Sequence, residues 1–184
     1  MNTAGSSPLN IAVLQPVPEF SKCGLKHRTT FSEPDLLVIG YGNTLRSDDA
    51  AGPLVAERVD ALGIPGVRAM ACRQLSPELA AELTDAVTVV FVDATTDPMR
   101  EVKLVPLAPA GTGPVSTHGT DPRALLAMAQ ELYGAAPAGW LLTVPAEKFD
   151  HGEEQSEVTK RGIEAAVGKI VKLARMKPAV ESVG

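Results

Sequence analysis

The chain has 184 residues, 45% hydrophobic and 21% charged, which is the balance of a globular protein with its own buried core. Its formal net charge of -5 argues against a general nucleic-acid binder, because phosphate neutralisation needs a concentrated face of Lys and Arg. Two cysteines without CxxC spacing exclude a multi-disulfide scaffold and a four-cysteine zinc site. Membrane-spanning runs and a signal peptide are absent from the sequence, so we expect a cytoplasmic protein with no membrane partner. We also expect the chain to be a monomer.

Three segments divide the chain. Residues 1–34 contain scattered prolines and serines, and we interpret them as a partly disordered N-terminal extension. A single domain is predicted over residues 35–176, and residues 177–184 are expected to fray.

Strands and helices alternate through the predicted domain. Apolar runs predict strands at 36–39, 67–72, 87–92, 102–107 and 140–144. Helical spacing and capping signals predict helices at 50–62, 77–84, 121–133 and from 157 onwards. Ser76 is expected to cap the second helix and Gly134 to end the third. This order predicts an α/β fold, a three-layer αβα sandwich around a mostly parallel twisted sheet of about five strands.

Polar groups follow three of the predicted strands. Asp48 and Asp49 come after the first strand, Asp93 ends the third, and His118 lies in the loop after the fourth. Ligand sites in open α/β sheets form at the carboxyl ends of strands, so these groups are expected to converge. Two carboxylates with one imidazole favour a transition metal such as Zn, Ni, Fe or Co over Mg or Ca.

Each of these residues also has a purely structural interpretation. Asp48 and Asp49 could cap the following helix, or one could cap it while the other faces the crevice. Asp93 ends a very apolar run and must be solvated, hydrogen-bonded or bound to something. A loop histidine such as His118 is more often a surface residue. Cys72 is better interpreted as a small buried hydrophobe than as a nucleophile.

Familiar catalytic signatures do not fit the sequence. The Gly40-Tyr41-Gly42 pair suggests a dinucleotide loop, but Leu45 stands where GxGxxG needs its third glycine. Neither HExxH nor GxSxG occurs, which excludes the ordinary zinc-protease and serine-hydrolase signatures.

The segment Gly40–Gly52 reads Gly-Tyr-Gly-Asn-Thr-Leu-Arg-Ser-Asp-Asp-Ala-Ala-Gly. It resembles the G-x-G-N-x-L-x-x-D-[DE]-x-x-G signature of the hydrogenase maturation proteases, the endopeptidases that process the large subunit of nickel-iron hydrogenases. The resemblance continues through Asp93 in Val-Phe-Val-Asp-Ala and through Ser116-Thr117-His118, and it covers about residues 35–175. It therefore extends over nearly all of the predicted domain.

The resemblance implies a site and a reaction. Asp49, Asp93 and His118 would be both the metal ligands and the catalytic residues. The metal would be nickel supplied by the partner, the large-subunit precursor, from which a short C-terminal extension is cut. The sequence departs from the family pattern at Arg73, where His is usual in an H-Q-L-x-P-E-L variant, and at Ala50, where Gly is frequent.

The residues leave the mechanism and the rival functions open. Either Asp49 or Asp93 could act as general base, or the metal could polarise the scissile carbonyl. The alternative function is a non-cleaving, nickel-dependent assembly factor that binds the same precursor. A nucleotide-type α/β binding protein is a third and weaker interpretation.

Overall fold

The computed structural model describes residues 35–111 and 121–176. The N-terminal extension, the C-terminal tail and His118 lie outside the described residues, so the predictions made for them stay predictions. The described elements follow in this order: β1 (Leu36–Tyr41), α1 (Ala51–Ala61), β2 (Val67–Cys72), α2 (Leu79–Leu83), β3 (Thr88–Thr95), β4 (Lys103–Leu107), α3 (Pro122–Tyr133), β5 (Ala138–Pro145) and α4 (Glu157–Arg175). Among the described residues no helix is long and apolar enough to cross a membrane.

A five-stranded sheet forms the middle layer, in the order β2-β1-β3-β5-β4. Strands β2, β1, β3 and β5 are parallel, and β4 pairs with β5 in the antiparallel direction. Helices α1 and α4 pack on one face, and α2 and α3 pack on the other. The predicted three-layer sandwich around a mostly parallel sheet is confirmed.

Both faces of the sheet are buried, which explains why its central strands are continuous apolar runs. In β1, Leu36 and Val38 contact the cluster under α1 and α4, whereas Leu37 and Ile39 contact the cluster under α2 and α3. Strand β3 alternates in the same way. The core is therefore two aliphatic layers, and the two faces can be followed out to the carboxyl ends of the strands.

Glycines bring the start of α1 into contact with the sheet. A Cβ atom at Gly40 would lie 1.9 Å from the carbonyl oxygen of Gly52, and one at Gly52 would lie 2.3 Å from the carbonyl oxygen of Tyr41. Gly42 has a φ of +145°, and a Cβ there would lie 2.0 Å from the carbonyl oxygen of Asp49. The glycines thus allow the backbone contacts that hold the turn before α1 at the carboxyl edge of the sheet.

Helix α2 is shorter than predicted. It begins at Leu79 instead of Pro77, and the prediction that Ser76 caps it is wrong, because Glu78 is its N-cap and makes no side-chain capping bond. The Ser76 hydroxyl instead bonds the Glu78 carboxylate, and this bond lowers the pKa of that carboxyl. A tight turn, in which the Leu79 amide donates to the Ser76 carbonyl, takes the place of the first helical turn.

Strands β3 and β4 also differ from the prediction. Asp93 lies inside β3 and not at its end, because β5 continues to pair with β3 as far as Thr95. Strand β4 runs antiparallel, and its last residue, Leu107, pairs with Gly139 near the start of β5. The end of β4 therefore lies at the opposite end of the sheet from Asp93. The direction of β4 alone thus does not bring the loop that follows it to the carboxyl ends of the parallel strands.

Candidate functional site

The turn after β1 places two neighbouring aspartates in different surroundings. Asp48 is fully buried and accepts hydrogen bonds from the amides of Glu147 and Lys148, each at 2.8 Å, and from the amide and hydroxyl of Ser156 at 2.6 and 2.8 Å. Burial acts to raise its pKa, but these bonds together hold the pKa of Asp48 below its ordinary value. Asp48 thereby ties the turn to residues 146–156, the β5–α4 loop.

Neighbouring residues of the turn reinforce this attachment. The Ser47 amide donates to the Gly152 carbonyl at 2.7 Å, and the Gly152 amide donates to the Leu45 carbonyl at 2.9 Å. The Arg46 Nε atom donates to the Phe149 carbonyl at 3.2 Å. Ser47 itself has a φ of 46°, a left-handed conformation that is uncommon for a residue with a side chain. We call these contacts, together with the hydrogen bonds of Asp48, the turn–loop clasp.

The prediction that Asp48 or Asp49 caps α1 is wrong. The N-cap of α1 is Ala50, which makes no side-chain capping bond. A 3₁₀ turn over Ser47–Ala50 leads directly into α1, and the Ala51 amide donates to the Asp48 carbonyl. Because backbone carbonyls already accept amides at this helix start, the two carboxylates are left for other partners.

Asp49 and Asp93 interact across the crevice. Asp49 is half-buried, and its Oδ2 atom accepts the Asn43 amide at 3.0 Å. The Oδ1 atom of Asp93 accepts the Ala94 amide at 2.8 Å, and the Asp93 carboxylate also accepts the Tyr41 hydroxyl. Burial raises the pKa of Asp93, and the negative charge of Asp49 raises it further, against those two bonds. Asp93 therefore gives up its proton less readily than an exposed aspartate does.

Sequence reasoning missed two residues beside this pair. The pKa of Tyr41 lies well above its ordinary range. Burial is the largest cause, and the charge and hydrogen bond of Asp93 and the charge of Asp121 raise this pKa further. Asp121 also caps α3, where its side chain accepts the Arg123 amide at 2.9 Å. Tyr41 could have been found from strand alternation, since it continues the Leu37 and Ile39 side of β1 to the crevice.

The third predicted site residue lies outside the described part of the chain. His118 falls in residues 112–120, which the structure does not describe. Within residues 35–111 and 121–176, no group of three His, Cys, Asp or Glu side chains could hold a metal ion. The charge of Asp49 acts on Asp93, but the shared metal site of Asp49, Asp93 and His118 stays a prediction.

A groove adjoins the same turn. It has a volume of about 270 Å³ and is lined by residues 42–45, Pro53, Glu57 and residues 71–73. Asn43, whose amide donates to Asp49, and the exposed Arg73 both line it. The groove is open and contains both polar and apolar surface, which suits a segment of polypeptide better than a small apolar ligand.

No family model and no curated protein sequence matches the chain. Solved structures do match it in fold, among them maturation endopeptidases. More particularly, they are hydrogenase maturation proteases. One is HycI from Thermococcus kodakarensis KOD1, a [NiFe] hydrogenase maturation protease that is 27% identical, with a TM-score of 0.62 over 77% of this chain and 93% of that chain.

Two further structures agree in fold. The hydrogenase 2 maturation peptidase from a Thaumarchaeota archaeon is 23% identical, with a TM-score of 0.57 over 75% of this chain and 96% of that chain. The maturating endopeptidase HybD from E. coli is 19% identical, with a TM-score of 0.57 over 76% and 91% of the two chains. The chain has the fold of the hydrogenase maturation proteases, and the resemblance predicted from its sequence is confirmed.

Proposed function

We propose that this protein is an endopeptidase that removes the C-terminal extension from the nickel-loaded large-subunit precursor of a [NiFe] hydrogenase. The observation that carries the proposal is the likeness to HycI, which spans 93% of that protease. The paired carboxylates of Asp49 and Asp93 lie at the carboxyl edge of the sheet, where α/β enzymes bind their ligands. In this proposal the enzyme is a monomer, and it catalyses the reaction in the cytoplasm.

The nickel in this proposal belongs to the substrate. Carboxylate oxygens are suitable ligands for a divalent cation, and the repulsion between Asp49 and Asp93 is relieved when one binds between them. His118 is the third ligand, and its imidazole shifts the preference of the set from Mg and Ca towards transition metals such as Zn, Ni, Fe or Co. One observation supports this role: Asp121, three residues further along the chain, acts on Tyr41 at the crevice. A partial ligand set is appropriate for a protein that recognises a metal already held by its partner.

Hydrolysis of the peptide needs a group that accepts a proton from water. Asp93 is the better candidate of the two carboxylates, because burial and the charge of Asp49 raise its pKa and make it a stronger base than an ordinary aspartate. Asp49, held by the Asn43 amide, contributes negative charge at the same point. The groove beside the turn would accommodate the extended tail of the precursor.

Intact mass spectrometry of the purified nickel-loaded precursor, before and after incubation with the protein, tests the proposal. Wild-type protein should convert the precursor to a shorter chain plus one released C-terminal peptide. Asp49→Asn, Asp93→Asn and His118→Ala should each reduce the rate at least about 100-fold. Asp60→Asn, which changes an exposed aspartate of α1, should process at the wild-type rate.

Other results would reject parts of the proposal. If the wild-type protein binds the precursor but its mass never changes, the protein is a non-cleaving assembly factor and not a protease. If nickel-free precursor is cut as fast as nickel-loaded precursor, nickel recognition is wrong. Normal processing by His118→Ala would remove that residue from the site.

A further inference from the structure

Tyr41 occupies a particular place in the crevice. It is the last residue of β1, between Gly40 and Gly42, and its ring packs partly buried against the apolar cluster under α2 and α3. Its hydroxyl bonds the Asp93 carboxylate. The side chain therefore joins the apolar core to one of the two crevice carboxylates.

The sheet register explains this contact. Gly40 in β1 pairs with Val92 in β3, so the next row of the sheet sets Tyr41 beside Asp93. Residues in one row of parallel strands project from the same face, which here is the face covered by α2 and α3. The same row continues through Thr143 of β5, the register partner of Asp93. The contact is thus set by the sheet and not by a loop.

Two bonds from different strands then restrain Asp93. The Ala94 amide, in the same strand, holds the Oδ1 atom at 2.8 Å, and the Tyr41 hydroxyl donates from the neighbouring strand. The terminal torsion of an aspartate is broad, so a single amide bond leaves the plane of the carboxylate poorly fixed. A second donor on a rigid ring reduces that freedom and orients the carboxylate toward the crevice.

Resting on the proposed function, we propose that Tyr41 is a positioning residue of the protease: its hydroxyl orients Asp93 for the reaction. Tyr41 acts through Asp93 and makes no bond to the substrate. Outer groups that hydrogen-bond a metal-binding or catalytic side chain commonly change metal affinity or activity 10- to 100-fold when they are removed. Tyr41 is such an outer group, because its hydroxyl donates a hydrogen bond to the Asp93 carboxylate.

The variant that tests this is Tyr41→Phe, which removes the hydroxyl and keeps the ring in the core. Tyr133→Phe is the matched control, because Tyr133 is exposed at the end of α3. Urea unfolding of the metal-free protein, in a double-mutant cycle of Tyr41→Phe with Asp93→Ala, measures the contact without any activity. We expect the two changes to be coupled by about tenfold in the unfolding equilibrium constant. Additive changes would overturn the inference.

Steady-state cleavage of the nickel-loaded precursor gives the second readout. Tyr41→Phe should lower kcat about tenfold and leave KM within about twofold, because the hydroxyl orients a reacting group and does not hold the precursor. Tyr133→Phe should change neither. An unchanged kcat for Tyr41→Phe would overturn the inference while the proposed function stands. If wild-type protein cuts nothing, the proposed function and the catalytic part of the inference fail together, although the coupling would still establish the contact.

Discussion

Two adjacent aspartates have different tasks because their partners differ. Asp48 is fully buried and accepts hydrogen bonds from the β5–α4 loop at both carboxylate oxygens, whereas Asp49 is half-buried and accepts the Asn43 amide. A carboxylate that already accepts four donors has little capacity left for a substrate. The Asp-Asp pair of the signature therefore combines one structural residue with one residue of the candidate site.

Replacement of Asp48 should be costly. Asp48→Asn keeps the size of the side chain but loses the charge, and it presents an NH₂ group to donors that need acceptors. We expect the free energy of unfolding, measured by urea denaturation, to fall by about 3 kcal/mol. The exposed Asp60→Asn should change it by less than about 0.5 kcal/mol. Equal losses in the two variants would show that the clasp contributes nothing to stability.

The same residue predicts a pH dependence. The bonds to Asp48 lower its pKa in the folded state, so the unfolded chain takes up this proton first as the pH falls. Its stabilising contribution is therefore complete above about pH 4 and is lost progressively below that value. Urea unfolding between about pH 5 and pH 2 should show a smaller loss of stability for Asp48→Asn than for wild type. Parallel curves would contradict this assignment.

At the scale of elements, the glycines of the signature act as packing residues. A Cβ at Gly52 would lie 2.3 Å from the Tyr41 carbonyl and 2.5 Å from the Val92 carbonyl, both of them backbone atoms that cannot move aside cheaply. The start of α1 can therefore lie against β1 and β3 only if this position has no side chain. Asp49 reaches the crevice because α1 begins so close to the sheet.

Gly52→Ala should consequently separate α1 from the sheet. We expect a loss of several kcal/mol, on the order of the largest single-residue effects, in thermal unfolding followed by circular dichroism. Gly168→Ala is the matched control within α4, since a Cβ there meets nothing within 4 Å, and it should raise stability by about 0.5–1 kcal/mol. If Gly52→Ala is as stable as wild type, the close approach does not constrain the fold.

Periodicity and capping signals predicted most elements, because these signals are local. Helices α3 and α4 begin at Pro122 and Glu157, within one residue of the predicted starts, and α3 ends as predicted at Gly134, which has a left-handed conformation. The direction of β4 was not predictable, since a strand has the same apolar pattern whichever way it runs. The partners of Asp48 were not predictable either, because they lie 99 to 108 residues away along the chain.

At the scale of the whole molecule, the turn–loop clasp joins the first strand–helix unit to the last. Its hydrogen bonds link residues 45–48 with residues 147–156. Such contacts between distant parts of a chain form late, because loop closure must come before they add stability. The candidate site therefore lies beside the contact between the first and the last strand–helix unit of the domain.

Within the part of the chain that the structure describes, one edge of β4 has no paired strand, which bears on the state of association of the whole protein. Open edges promote pairing between chains, but the edge strand β4 contains Pro106, which has no amide proton to offer. We expect sedimentation velocity to show a single species with the mass of one chain. Pro106→Thr should increase self-association because it restores a donor, whereas Pro109→Thr, in the exposed segment after β4, should not. Equal behaviour of the two variants would show that this edge is not protected by its proline.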